Sequence, residues 1–191
     1  MTNKTIGLAI TGSFCTFEKL LPELEKLAKH NTIIPIFSYS VAKVDTRFYK
    51  AEDFYNDVKK ITNQEPIRTI KDAEPIGPKN FLDLIIIAPC TGNTLAKLNN
   101  GITDTPVLMA VKAHLRNNKP VLVAISTNDG LAANARNIGE LINKKNIFFT
   151  PFAQDNYQKK RFSLMADFDL LIESAEAALN NQQLQPVLKG V

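Results

Sequence analysis

Apolar residues along this chain fall into two kinds of pattern. Short continuous runs at 6–10, 32–38, 82–88, 121–125 and 147–149 alternate with stretches whose apolar positions recur three and four residues apart. The runs predict strands and the recurring stretches predict amphipathic helices. The 82–88 run is apolar nearly throughout, as a central parallel strand buried on both faces must be. Phe17, Leu20, Leu21, Leu24, Leu27 and Ala28 predict a first helix, with Glu18 in its first turn. Phe54, Val58 and Ile61 mark a second. Further helices are predicted over 91–100, from the Asp104-Thr105-Pro106 cap to about 116, around Leu131, Ala135, Ile138, Leu141 and Ile142, and over 172–179. The stretch 38–49 reads as a loop, 67–70 as a short strand, and 72–79, with Pro75, Gly77 and Pro78, as a connector. Pro35 inside the second run predicts a bulge or an unpaired edge.

Strands alternating with helices imply an α/β fold: a three-layer, doubly wound parallel sheet of the flavodoxin-like or Rossmann-like kind, in one domain spanning 1–191. Such sheets bind ligands beyond the carboxyl ends of the strands, where the strand order reverses. The 6–10 and 82–88 strands are expected as neighbours at that point, so the loops after them are the first places to look for chemistry.

Composition narrows the function. Of 191 residues 45% are hydrophobic and 22% charged, values of an ordinary globular protein rather than a disordered one. Two cysteines outside any CxxC pair and two histidines without ligand spacing predict neither a disulfide framework nor a metal site. No secretory leader is recognisable, and the longest apolar runs are too short for a bilayer, so a cytoplasmic protein without membrane partners is expected. The net charge is +4, but the lysines are scattered and no basic run is interleaved with aromatics. This argues against nucleic acid: the lysines sit mostly on helix ends, where cations suit the dipole, and the balance could also favour an acidic small molecule or protein partner.

Four loops carry hydroxyls. Thr11-Gly12-Ser13, then Phe14, stands between the first strand and first helix, where free backbone N–H groups bind anions. Pro89-Cys90-Thr91-Gly92-Asn93-Thr94 follows the 82–88 strand and opens a helix. Ser126-Thr127-Asn128-Asp129-Gly130 does the same after the 121–125 run, and Ser38 and Ser40 follow the second. Any one of these is also an ordinary capped turn, but together they suit a mononucleotide. The dinucleotide fingerprint GxGxxG is absent. Cys15 and Cys90 each lie just past a switch-point strand, with small-residue packing the simpler use of both, and no histidine marks either as a nucleophile. Arg47 could hold a carboxylate or be a solvated loop charge. Lys159, Lys160 and Arg161 read as a solvated run. Asp45 and Asp155 are candidate general bases if they line the cleft.

The stretch Pro89-Cys90-Thr91-Gly92-Asn93-Thr94-Leu95-Ala96-Lys97, followed by Asn100-Gly101-Ile102-Thr103-Asp104, resembles the Ser-Ala-Asn-Thr loop and helix of the flavin-dependent cysteine decarboxylase and flavin prenyltransferase superfamily. Thr11-Gly12-Ser13 resembles its first loop. The resemblance implies FMN, its phosphate held by Gly12, Ser13, Thr91, Asn93 and Thr94, with Ser38 or Ser40 in the strand-2 role; Phe14, Cys90, Ser126, Thr127 and Asn128 complete the implied cofactor set. It also implies trimers or larger homo-oligomers, for which the apolar helix at 107–115 is the expected interface. The decarboxylases use a histidine after an early strand, which neither His30 nor His114 matches, and their Pro-Ala-Met-Asn stretch is Ser126-Thr127-Asn128 here, so decarboxylation is not expected.

A second likeness spans nearly the whole chain. Ile36-Phe37-Ser38-Tyr39-Ser40, Asp45-Thr46-Arg47-Phe48, Pro151-Phe152, Asp155-Asn156, Ser163-Leu164 and Leu184-Gln185-Pro186-Val187 are similar to one family of a two-component enzyme of sporulating bacteria. That likeness implies oxidation of dihydrodipicolinate to dipicolinate with a partner A subunit that binds NADP. Arg47 would then hold a carboxylate of the small dicarboxylate substrate, and Asp45 would be a catalytic candidate. Two alternatives stay open: a stand-alone FMN enzyme, and a non-catalytic chain that stabilises its partner.

Overall fold

A computed structural model describes residues 1–190 of the chain. Its sheet contains β1 (Thr5–Ile10), β2 (Thr32–Phe37), β3 (Leu84–Cys90), β4 (Val121–Thr127), β5 (Ile147–Phe149), β6 (Phe152–Ala153) and β7 (Leu164–Ala166). Strands β2, β1, β3, β4 and β5 lie side by side in that order and run parallel. From β1 the chain steps outward to β2, then crosses back over β1 to β3, so the order reverses between β1 and β3. This is the doubly wound arrangement that the alternation of runs and amphipathic stretches implies. All seven residues of β3 are buried, which is why that run carries no polar alternation.

Helices cover both faces: α1 (Phe17–Ala28), α2 (Tyr39–Lys43), α3 (Ala51–Thr62), α4 (Ile70–Ala73), α5 (Ile76–Lys79), α6 (Gly92–Asn99), α7 (Pro106–Leu115), α8 (Ala135–Ile142) and α9 (Leu171–Leu179). In α1 the residues Phe17, Leu20, Leu24 and Leu27 are buried, one stripe at helical spacing. Thr105 caps α7 by accepting from the Leu108 N–H at 3.2 Å, and Pro106 occupies the first turn, where a missing N–H costs nothing. No helix among the described residues is long and apolar enough to cross a membrane.

The structure departs from the sequence reading in several places. The 38–49 loop contains α2, capped by the Ser38 side chain. Residues 67–70 form no strand. Ile67 makes a single bridge to Ile36, its N–H donating to the Pro35 carbonyl and its carbonyl accepting from Phe37, before the chain turns into α4. Pro35 thus points its missing N–H to the outer edge of β2, where no continuous partner needs it. The 72–79 connector is two single helical turns, α4 and α5. Leu131 is exposed in the turn before α8 rather than on its apolar face. The apolar side of α7 is spent inside the chain: Val107, Leu108, Ala110, Val111 and Ala113 are all buried, so this helix is a core element rather than a free interface. Finally, the sheet is not wholly parallel. β4 runs on past its parallel neighbours, and its Ser126 and Thr127 pair antiparallel with Met165 and Leu164 of β7, which in turn pairs with β6.

His114 on α7 is 1% exposed and its Nε2–H donates to the Pro120 carbonyl at 3.0 Å. Burial pushes its pKa down to about 4, against the opposing pull of that hydrogen bond. The folded state therefore holds a neutral ring while the unfolded chain takes a proton below the ordinary histidine value. The stability this contributes is present above that value and is lost as pH falls toward 4. From about pH 7.5 to about pH 4.5 the expected loss is about 2–3 kcal/mol. Urea unfolding of a His114→Gln variant, which keeps a donor for Pro120, should lack this share of the pH dependence. Parallel pH profiles for the two proteins would contradict the assignment.

Candidate functional site

The reversal of strand order is pinned by one hydroxyl. Thr11, just past β1, is 1% exposed; its Oγ1 donates to the Pro89 carbonyl at 2.7 Å and accepts from the Thr91 N–H at 3.0 Å. Pro89 is available because β3 bulges against β4: Ile87 pairs with Val123 and Cys90 with Ile125, leaving Ala88 and Pro89 opposite Ala124 alone. The Gly12-Ser13 turn and the start of α6 therefore leave the sheet side by side.

Beyond them lies a cleft of about 210 Å³. One wall is made of Gly12, Ser13, Thr91, Ser126, Thr127 and Asn128, all drawn from the loops singled out in the sequence. The Ser13 and Ser126 hydroxyls are 2.7 Å apart, joining the ends of β1 and β4. Thr91 caps α6, accepting from the Thr94 N–H at 3.3 Å, with the two threonine hydroxyls 3.0 Å apart. The next two amides of α6, Gly92 and Asn93, have no hydrogen-bond partner among the described residues. They are the unsatisfied donors that make a helix start attractive to anions. Gly12 is required where it stands: a β-carbon there would meet the Ser40 hydroxyl oxygen at 2.8 Å. Ser40 in turn lies 3.1 Å from Ser38, so the β2 hydroxyl pair borders the Gly12 turn without lining the cleft.

The other sequence candidates lie elsewhere. Thr94 is buried behind its cap, and Cys90 is fully buried in the core, where burial pushes its thiol pKa up. The Phe14 ring packs on Phe17 with centroids 5.3 Å apart. Asn93 is exposed at the start of α6. Asp45 and Arg47 lie on the segment between α2 and α3. The Asp45 carboxylate accepts from the Ala51 N–H at 2.9 Å, and the Arg47 guanidinium lies 4.8 Å from the centre of the Phe48 ring. His30 lies just past α1, its carbonyl accepting from the Asn3 N–H at the opposite end of the sheet.

The far wall comes from the segment joining β6 to β7: Asp155, Lys160 and Ser163, with Leu164 and Met165 behind them. Cys15 and Thr16 close the floor beside Ser13. The sequence shows the polar residues of this wall but not their position, because strands of two and three residues carry no readable period. Burial alone would raise the Asp155 carboxyl, but hydrogen bonding from Ser163 and the Lys160 ammonium outweigh it and hold the group below its ordinary value.

A polar network supports the first wall from behind. Thr127 Oγ1 donates to Asp129 at 2.5 Å, Asn134 Nδ2 donates to the other carboxylate oxygen at 2.8 Å, and Asn137 donates to Asn134 at 2.9 Å. Gly92 sits against it: a β-carbon would fall 2.5 Å from Asn134 Nδ2 and 2.6 Å from both Asp129 Oδ1 and Thr127 Oγ1. A helical glycine changed to alanine ordinarily gains about 1 kcal/mol. Here three mutually bonded groups must move, so Gly92→Ala should lose about 1–3 kcal/mol instead. Calorimetry should show a fall in Tm; a rise would mean that the network yields.

Comparisons with known proteins give the chain a family. The flavoprotein family matches residues 1–173. The dipicolinate synthase B subunit of Bacillus subtilis (strain 168) is 46% identical over 98% of this chain and 94% of its own. The crystal structure of the dipicolinate synthase B subunit from Bacillus halodurans C superposes with a TM-score of 0.91 at 46% identity, covering 99% of this chain and 97% of that one. A dodecameric FMN-dependent UbiX-like decarboxylase from Escherichia coli O157:H7 shares the fold at TM-score 0.62 and 18% identity, over 77% of this chain and 79% of that one. The chain belongs to the flavoprotein family and, within it, to the group of dipicolinate synthase B subunits.

Proposed function

We propose that this chain works with the A subunit of dipicolinate synthase, its NADP-binding partner, to oxidise dihydrodipicolinate to dipicolinate during sporulation, and that its strand-end cleft takes FMN through the phosphate. The observation that carries the flavin part is the convergence of the Gly12-Ser13 turn with Thr91, the cap of α6, at the point of strand reversal, with the unpaired Gly92 and Asn93 amides next in the chain. The donor chemistry fits a phosphate: backbone N–H groups, the Ser13 and Thr91 hydroxyls, the Asn93 amide, and a glycine where a side chain would block approach. Thr91 and Ser13 would hold the phosphate and the Ser126-Thr127-Asn128 edge would face the rest of the nucleotide. A bound flavin supplies a two-electron acceptor.

The chain's own residues have separate tasks. Thr11 keeps the two phosphate loops in register. Ser13 and Ser126 hold the β1 and β4 ends at one spacing. Arg47, on the segment that follows α2, is assigned to attracting the dicarboxylate, and Asp45 to fixing the segment that carries it. A homo-oligomer belongs to this reading, as the dodecamer of the E. coli protein illustrates, with contacts made by surfaces other than the buried side of α7. A stand-alone decarboxylase is disfavoured because neither histidine lines the cleft.

Reconstitution with the partner chain is the test. Dihydrodipicolinate-dependent reduction of NADP should need both chains. A Ser13→Ala, Asn93→Ala double variant should lower kcat/KM by about tenfold or more, the cost of losing hydrogen bonds to a charged ligand. A complex that turns over at the unaltered rate with both side chains removed would overturn the role of the loops. Full turnover by the NADP-binding chain on its own would overturn the role of this one.

A further inference from the structure

The two walls of the cleft differ in what they offer a reaction. The strand-end wall presents neutral polar groups: hydroxyls and an amide side chain. The opposite wall, residues 154–163, presents a carboxylate and an ammonium. Asp155 has a side chain only 16% exposed, and the Lys160 Nζ lies 3.3 Å from its carboxylate. Ser163, 3% exposed, lines the same wall.

This wall is built rather than draped. Gln154 Nε2 donates to the Arg161 carbonyl at 2.7 Å, Lys160 N–H to the Asn156 carbonyl at 2.7 Å, and Lys159 N–H to the Asn156 side chain at 3.0 Å. The Leu131 N–H donates to the Phe162 carbonyl at 2.9 Å, tying the segment to the loop after β4. Leu164 packs onto Gly130, where even a β-carbon would come within 2.7 Å of it. The segment thus places Asp155 and Lys160 in the same cleft as Ser13 and Ser126.

Converting a dihydropyridine dicarboxylate to the aromatic ring removes one hydrogen as hydride and one as a proton, and the proton needs an acceptor. Among the residues lining the cleft, Asp155 is the one carboxylate. The others are hydroxyls, an amide, a lysine, a thiol and apolar groups. His114 is bonded to Pro120 in the core, and His30 lies at the far end of the sheet.

We infer that Asp155 is the general base of the oxidation and that Lys160 pairs with a carboxylate of the ring substrate. The inference rests on the function proposed above. One ring C–H bond breaks with its electron pair leaving as hydride to an oxidised nicotinamide or flavin. A second ring C–H breaks with its proton passing to the Asp155 carboxylate, and its electron pair forms the last double bond of the aromatic ring. The protonated Asp155 then returns its proton to water at the cleft mouth. The Lys160 ammonium beside it keeps Asp155 ionised until the substrate arrives.

The test uses the assembled two-chain complex with dihydrodipicolinate and NADP. Asp155→Asn should lower kcat by about 100-fold or more, the usual cost of removing a general base, with KM within about threefold. Turnover of Asp155→Ala should rise when formate is added, a response that a merely structural carboxylate would not give. Lys160→Ala should raise KM about tenfold or more with a smaller effect on kcat, and should weaken dipicolinate binding by isothermal titration. Wild-type turnover with an undiminished kcat in Asp155→Asn overturns the inference alone. A wild-type complex that does not oxidise dihydrodipicolinate overturns the proposed function, and this inference with it.

Discussion

Much of this molecule depends on where the buried hydroxyl of Thr11 puts its two hydrogen bonds. A parallel sheet that winds both ways leaves a gap where the strand order reverses, because the helices after β1 and β3 depart to opposite faces. Thr11 spans that gap by donating to Pro89 and accepting from Thr91. A bulge in β3 presents the carbonyl, and full burial keeps water from competing for it. With the two strand ends held, the Gly12-Ser13 turn and the start of α6 face a common space. The strand-end wall of the cleft inherits that placement.

The second wall arises from a different device. β4 changes partners partway along, parallel to β3 and β5 first and antiparallel to β7 at Ser126 and Thr127. The same strand therefore supplies hydroxyls to the donor-rich wall and anchors the segment carrying Asp155 and Lys160 to the other. A cleft with neutral donors on one side and an ion pair on the other separates two jobs: holding an anion, and moving a proton. The Asp129 network behind Thr127 keeps the first wall stiff, and it leaves Gly92 no room for a side chain.

Long apolar runs and helix caps have local causes, and for that reason they were legible in the sequence. The 84–90 and 121–127 strands are buried on both faces and show it, and Thr91 and Thr105 announce the helices they cap. The strand-reversal point followed from the alternation alone, and with it the attention to Gly12, Ser13, Thr91 and 126–128. What escaped notice depends on partners far along the chain. The four-residue turns α4 and α5 are stable only against α7, and α2 only against its own cap and neighbours. Ile67 bridges to β2 once and then leaves. β6 and β7 have too few residues for a period, so the Lys159 to Arg161 run reads as solvated charge, and nothing local places Asp155 in a cleft. Only the antiparallel pairing to β4 turns Asp155 and Lys160 toward it. Asp45 and Arg47, by contrast, have local polar neighbours that look like a site in the sequence and lie outside the cleft in the fold.

The central claim is that the strand-end wall is a phosphate cradle for a flavin mononucleotide. Its most direct test is an equilibrium titration of the purified chain with FMN, read by the visible flavin bands and by quenching of flavin fluorescence, with riboflavin as the control lacking phosphate. The account predicts saturable binding of FMN that riboflavin does not match. Equal binding of the two, or none of either, would contradict it and leave the Gly12-Ser13 turn and the α6 amides without the ligand assigned to them.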